Sequence, residues 1–428
     1  MIFKLAYLNL FRNKRRTLST GLAICIGFVG LNLLGAYIFR VKKALDTTSV
    51  YSALHGHVKL FKEDSLVQFS LKPKTFIFSK EELGQVQNIL NEFASEIDYT
   101  GKNINGSGLL SNGKISHPIL FYSFEPEIYA KSLTQPDITK WAKDWVLPSQ
   151  LKNVEVFRNN NEVMSVTPKI ANIMSLTYPL ASNESLQLAG RTLDGDLNAV
   201  NLELGAEHTT GLQFLEDILV LVPFKKVQEL LGTEGAESMS IYLKTGSPLL
   251  SFKKRLDEKL TRLPFKIDSY FYYDERINSV YLGTIGFLVV MGAFFVFLIG
   301  TAVSLTIVNS LTMGIIERTR EIGTLYAVGF KKRDVSKMFI YENLLLCLLA
   351  ICAGAVLSFL FSAIVNSLNI RFTPPSVTGK IQFRLVWNLT IASAVAVFTL
   401  LLTLISSVIV MKNKSKIKLI DLLNDTGG

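Results

Sequence analysis

Cysteine is scarce in this sequence, three residues in 428, and Cys25, Cys347 and Cys352 all fall inside long uncharged runs. No disulfide framework therefore holds the polar part of the chain, which must fold on an apolar core of its own. Histidine is nearly as rare, with four residues. His55 and His57 are one residue apart, an alternation that places both imidazoles on one face of a strand. A metal pair needs further ligands, and His117 and His208 lie in unrelated contexts, so an ordinary edge strand is expected and no metal site. A complete phosphate-binding loop is also missing. Gly108 to Lys114 reads GLLSNGK, but Ile115 stands where the Mg²⁺-binding hydroxyl is required. With no nucleophile motif either, the chain is not expected to be an enzyme on its own or to carry a cofactor.

Charge is absent from four stretches, 17–39, 277–316, 343–370 and 385–411. Each is long enough to cross about 30 Å of hydrocarbon, and the mean hydropathy of +0.32 fits a membrane protein. The first run follows a basic start but has no small-residue cleavage site, so a retained anchor is expected. The formal net charge is +10, and its location excludes a nucleic-acid reading. Segments 1–18, 312–337 and 411–428 hold 15 Lys/Arg against 5 Asp/Glu, and the remainder is balanced at 30 of each. The excess therefore marks the cytoplasmic side and its anionic headgroups.

The expected layout is an amphipathic cytoplasmic helix at 1–18, spans at 19–41, 278–312, 338–367 and 386–411, and an exported domain at 42–277. A cytoplasmic segment at 313–337, an exported loop at 368–385 and a cytoplasmic tail at 412–428 complete it. The start, MIFKLAYLNLFRNKRR, mixes apolar and basic positions and suits a helix at the inner leaflet, with Arg12, Lys14, Arg15 and Arg16 at the membrane interface. In the exported region, strand-like 55–63 and helix-like 80–97 recur as strand-like 237–244, helix-like 248–263 and strand-like 265–274 around a turn-rich centre. The fold class expected is α+β: four transmembrane helices, with a large extracytoplasmic domain between the first two, built as a split βαβ subdomain around a β-rich insert. The uncharged run 277–316 makes a helix of about 60 Å, twice the hydrocarbon thickness. Gly283, Gly286, Gly292 and Gly300 would let it pack closely on a partner helix. Glu342, at the edge of the third span, reads as an interfacial charge. Pro374-Pro375 forces an extended turn before the fourth span.

Met313 to Lys337, MGIIERTREIGTLYAVGFKKRDVSK, is the charged segment between two spans. Glu317 to Tyr326 favours helix, with Glu317 and Glu321 on one face. Gly329 marks its end, and Asp334 is placed to cap the next helix. The string ERTREIGTLYAVGFKKRDV resembles the signature of the FtsX-like/MacB permease superfamily of ABC transporters, with Tyr326 and Phe330 departing from the usual Arg and Ala. LAYLNLFRNKRRT is similar to the same family's entry sequence. HGHVKLFKE, the two-part exported domain and the Pro-Pro loop look most like the lipoprotein-releasing LolC and LolE branch. The tail KNKSKIKLIDLLNDTGG resembles the family's cytosolic end.

The resemblance implies a permease subunit in a complex of two permease chains, identical or homologous, on a dimer of ABC ATPase subunits that bind ATP and Mg²⁺. The segment would dock on the ATPase through Glu317, Arg318, Arg320, Glu321, Ile322, Gly323 and Leu325. Its movement would be transmitted to the exported domain, which lifts a lipoprotein or lipid from the outer leaflet of the cell inner membrane to a periplasmic carrier or adaptor. MacB-like export of a peptide or antibiotic and FtsX-like activation of a cell-wall hydrolase are the alternatives.

Overall fold

The computed structural model describes residues 2–10, 14–146, 150–151, 154–158, 160–176, 185–375 and 377–414. The chain divides into two compact units, each assembled from separated stretches. One comprises Met1–Arg40, Gly286–Ile370 and Phe383–Gly428; the other comprises Val41–Ile285 with Arg371–Gln382.

The first unit is helical. A short helix α1 (Ile2–Leu10) precedes the long helix α2 (Lys14–Thr47). Three more long helices bear on it: α7 (Ser279–Glu317), α9 (Lys332–Ser367) and α10 (Leu389–Lys414). Among the described residues these four long helices have the length and apolarity to cross a membrane. Each runs past the span expected for it, because the backbone stays helical through the polar flanks that composition had assigned elsewhere. Lys14, Arg15 and Arg16 thus open α2 instead of closing an interfacial helix, and Arg12 lies outside the described residues. In α1, Ala6 is buried while Phe3, Tyr7 and Leu8 are exposed.

Small residues set the helix contacts, as lipid-embedded packing favours. A Cβ on Gly27 would fall 2.5 Å from Val303 Cγ2, and one on Gly354 would fall 2.8 Å from Phe28 Cδ1. Of the glycines expected to serve this role, Gly292 and Gly300 are approached by Ile38 and Phe398, but Gly283 and Gly286 meet nothing within 4 Å. Hydroxyl pairs cross the same contacts, Thr20 to Ser310 at 2.7 Å and Ser406 to Ser304 at 3.1 Å.

The second unit joins a sheet to a barrel. Strands β1 (Val58–Lys62), β2 (Ile97–Asn103), β9 (Ser238–Leu243) and β10 (Ile267–Phe271) form a sheet in the order β10-β1-β9-β2. Both β1 and β2 run antiparallel to β9, so they are parallel to each other with β9 between them. This is a split βαβ arrangement. Its helices are α3 (Lys80–Asn91) and α6 (Leu249–Leu260). Ser79 caps α3, accepting from Glu82 N while the Glu82 carboxylate accepts from Ser79 N, the reciprocal box that fixes a helix start. Leu83, Val86 and Leu90 on α3 and Phe252 and Leu256 on α6 are buried, the spacing of one helical face.

The insert between β2 and β9 is a closed six-stranded barrel with the helices α4 (Pro126–Leu133) and α5 (Phe224–Leu231). It is built from β3 (Asn105–Ser111), β4 (Ser116–Phe124), β5 (Val163–Val166), β6 (Ser185–Arg191), β7 (Leu197–Glu207) and β8 (Leu219–Pro223), in the order β3-β4-β8-β5-β7-β6. Val200, Leu202, Leu204 and Ala206 on β7 and Leu186 and Leu188 on β6 are buried at every second position, the strand period that fills a small barrel. Asn112 to Ile115 is a hairpin turn, with Asn112 Oδ1 accepting from Lys114 N and Ile115 N and Gly113 at φ +82°. GLLSNGK is thus strand and turn. His55 and His57 precede β1 instead of sharing its face; His57 Nδ1 accepts from Leu243 N at 3.0 Å. The residues around Pro374-Pro375 also belong here: β11 (Arg371–Phe372) pairs β12 (Ile381–Gln382), and Thr378 hydrogen-bonds Thr209 at 3.0 Å.

Burial pushes the His55, His57 and His208 imidazoles down to about 3, 4 and 3. In the unfolded chain each takes up a proton near pH 6.5. Between roughly pH 6.5 and 4 the unfolded state binds more protons, so stability rises with pH and is lost on acidification. The urea midpoint of the full chain, read by proteolysis within 58–271, is expected to fall steadily from about pH 7 to 4.5. His208→Gln should flatten that slope. An unchanged profile would mean that His208 is not buried neutral.

Candidate functional site

The charged segment takes its shape from three terminations. The apolar helix α7 ends at Glu317. At Arg318 the backbone leaves helical geometry, with φ −106° and ψ 20°, and α8 (Thr319–Ala327) begins. Its end is a Schellman turn: Gly329 sits at φ +101°, Phe330 N donates to Leu325 O at 3.0 Å and Gly329 N donates to Tyr326 O at 3.0 Å. Glycine is needed because a side chain strains this left-handed geometry. Asp334 is the third residue of α9 and not its cap; its carboxylate accepts from Lys331 N at 3.3 Å.

The break at Arg318 has a cause on the far side of the segment. Arg318 is 4% exposed, and its Nη1 donates to Glu342 Oε2 at 2.9 Å. Its Nη2 reaches Asn9 O at 3.4 Å. Arg16 pairs Glu317 at 2.9 Å and approaches Glu342 at 3.6 Å. Arg16 lies so close over Gly314 that a Cβ there would meet its Nη1 at 2.6 Å. One ionic cluster thus ties α1, α2, α7 and α9 to the start of α8.

This placement divides the residues expected to contact a partner. Arg318 and Ile322 face inward, the first into its ion pair and the second into the helical core. Gly323 is buried, and Glu321 and Leu325 are half-buried. Glu317 and Arg320 are exposed, with Glu317 paired to Arg16. The outward surface of α8 and its turn consists of Arg320, Thr324, Ala327, Val328 and Gly329, with Val328 80% exposed. Of the residues expected at the membrane interface, Lys14 and Arg15 are exposed and Arg16 is a member of the cluster. Sequence reasoning missed Glu342 as a partner and Val328 as a surface residue. A lone carboxylate in an otherwise apolar third span was the available signal for Glu342. Among the described residues no group of His, Cys, Asp or Glu is arranged to hold a metal.

Four membrane helices with an α+β domain after the first, and a short charged helix between the second and third, define a polytopic membrane protein. Residues 277–417, about a third of the chain, match the FtsX-like permease C-terminal family, a likeness to permeases of the FtsX/MacB type. The macrolide export ATP-binding/permease protein MacB of Escherichia coli is 29% identical over 155 residues, 35% of this chain and 24% of that protein. MacB of Burkholderia lata is 25% identical over 173 residues, 39% of this chain and 25% of that protein. The chain therefore spans about a quarter of the length of the curated relatives it matches. Among solved structures, the periplasmic region of MacB from Actinobacillus actinomycetemcomitans aligns with 54% of this chain and 92% of its own, at 12% identity and a TM-score of 0.34. The extracellular domain of the noncanonical ABC-type transporter YknZ from Gram-positive bacteria aligns with 50% and 98%, at 13% identity and a TM-score of 0.33.

Removing one partner of a buried ion pair strands the other charge at a cost of about 3 kcal/mol or more. Arg318→Ala and Glu342→Ala should each lower the thermal midpoint of the full chain in lipid nanodiscs, and the double variant should lose less than the sum. Additive losses would show that the two side chains do not pair.

Proposed function

We propose that this chain is the membrane permease subunit of an ABC transporter of the MacB/FtsX type, converting ATP-driven movement of partner subunits into rearrangement of its α+β domain. The observation that carries the reading is the junction of α7 with α8 inside an FtsX-like permease domain. The 39 residues of α7 form one apolar helix, about 58 Å long at 1.5 Å per residue. It ends on a short amphipathic helix whose base is fixed by buried charge and whose outer surface is open. A push on that surface has a stiff element to act on.

The Lys/Arg excess supports a cytoplasmic position for α8 and both termini, and an exported position for the α+β domain. In a two-membrane cell this is the inner membrane. ATP and Mg²⁺ are bound in this reading by a partner ATPase dimer, as the likeness of the charged segment to the FtsX-like/MacB signature implies. Only 6% of an 18-residue apolar stretch of α7 is buried within this chain, which supports a second permease chain beside it. For cargo, the HGHVKLFKE strand and the Pro-Pro loop favour extraction of a lipoprotein or lipid, passed to a periplasmic carrier or adaptor. Export of another compound is the second reading, favoured by relatives whose names include macrolide export.

The test is co-purification from gently solubilised membranes. Arg320→Glu and Val328→Asp alter the outer surface of α8 without touching the ion pair, and each should lose an ATPase that accompanies the wild-type chain. Retention of the ATPase by both variants, or its absence from the wild type, would refute α8 as the docking element.

A further inference from the structure

Within the second unit a cavity of about 350 Å³ opens where one end of the barrel meets the turn Thr48–Ser52 and residues Ile277–Tyr281. That volume is in the range of small-molecule sites. Leu45, Leu215, Leu219, Leu221 and Val280 form much of its wall, and no Asp, Glu, Lys or Arg is among the described residues lining it. The backbone at its edge is irregular. Thr48–Ser52 is a π-helical turn, and Leu54 is held at φ +56°, a left-handed conformation that a bulky residue adopts only under constraint.

Four of the lining residues carry a polar atom that is buried without a hydrogen-bond partner in the protein: Ser52 Oγ, His55 Nδ1, Gln150 Oε1 and His208 Nε2. Gln150 and His208 are each 2% exposed. Their neighbours assign the protons. The Ser165 hydroxyl donates to Ala206 O at 3.2 Å, so it accepts from His208 Nδ1–H at 3.0 Å, and Nε2 is left as a bare lone pair. The Gln150 amide donates to the Tyr129 hydroxyl, which leaves its carbonyl oxygen as an acceptor. Two unsatisfied acceptors therefore lie in the wall of one apolar chamber, an arrangement that folded proteins avoid unless something supplies the donors. Burial keeps both His55 and His208 uncharged near neutral pH.

We propose that this cavity is a binding site for an uncharged amphipathic molecule, with an apolar body against the leucines and hydroxyl or amide N–H donors directed to Gln150 Oε1 and His208 Nε2. An ionised ligand would lose its hydration with no opposite charge lining the chamber. The site rests on the cavity alone and holds whether or not an ATPase docks on α8.

The test uses the full chain in lipid nanodiscs and three diazirine-bearing probes of equal length: a long-chain alcohol, the matching alkane and the matching carboxylate. After irradiation, labelled peptides are located by mass spectrometry. The alcohol is expected to label peptides within 48–55 and 208–221 saturably, ahead of the alkane and well ahead of the carboxylate. His208→Leu and Gln150→Leu should weaken the alcohol by about tenfold and leave the alkane unchanged. Leu219→Trp should block all labelling there. Unchanged hydrogen exchange across β7 and β8 identifies variants that remain folded. Labelling confined to the span helices, carboxylate labelling equal to that of the alcohol, or indifference to Leu219→Trp in a folded variant would each overturn the proposal.

Discussion

The arrangement of the permease end depends on one buried ion pair. Arg318 and Glu342 are 24 residues apart and almost wholly enclosed, and their charges are tolerable only because each satisfies the other. Arg16 adds a second cation to Glu342 and binds Glu317. Four helices therefore meet the start of α8 on one small electrostatic knot. The position of α8 follows from it, since the residue that interrupts the helix is also the residue that holds the corner in place.

Much of this was legible in the sequence. Uncharged runs locate membrane helices because hydrocarbon penalises charge more strongly than any local propensity, and the helices appear where those runs lie. Period-two burial on β6 and β7 and the spacing of Leu83, Val86 and Leu90 on α3 are direct prints of geometry on sequence. The split βαβ plan was readable because the same strand-helix-strand order occurs on either side of the insert. Closure of the insert into a barrel was not, since pairing of β3 with β6 joins strands about 75 residues apart and nothing local encodes it.

The charged segment shows the opposite failure. Its helix, its glycine stop and its family resemblance were all readable, but the facing of individual side chains was not. Arg318 read as one more docking cation between Glu317 and Arg320, and only the distant Glu342 turns it inward. Ile322 is buried by the same rotation. Sequence gave the element; long-range contacts decided which of its faces remained outside.

The stretch Arg371–Gln382 belongs with the α+β unit although it lies between the third and fourth membrane helices. Glu216 draws its partners from both parts, accepting from Thr209 and from Thr378. Neither unit is one continuous length of polypeptide. The α+β body cannot be transferred between proteins as a single cassette without leaving a piece behind, so recombination that swaps it must cut the gene in two places or accept a carboxylate stripped of one of its donors.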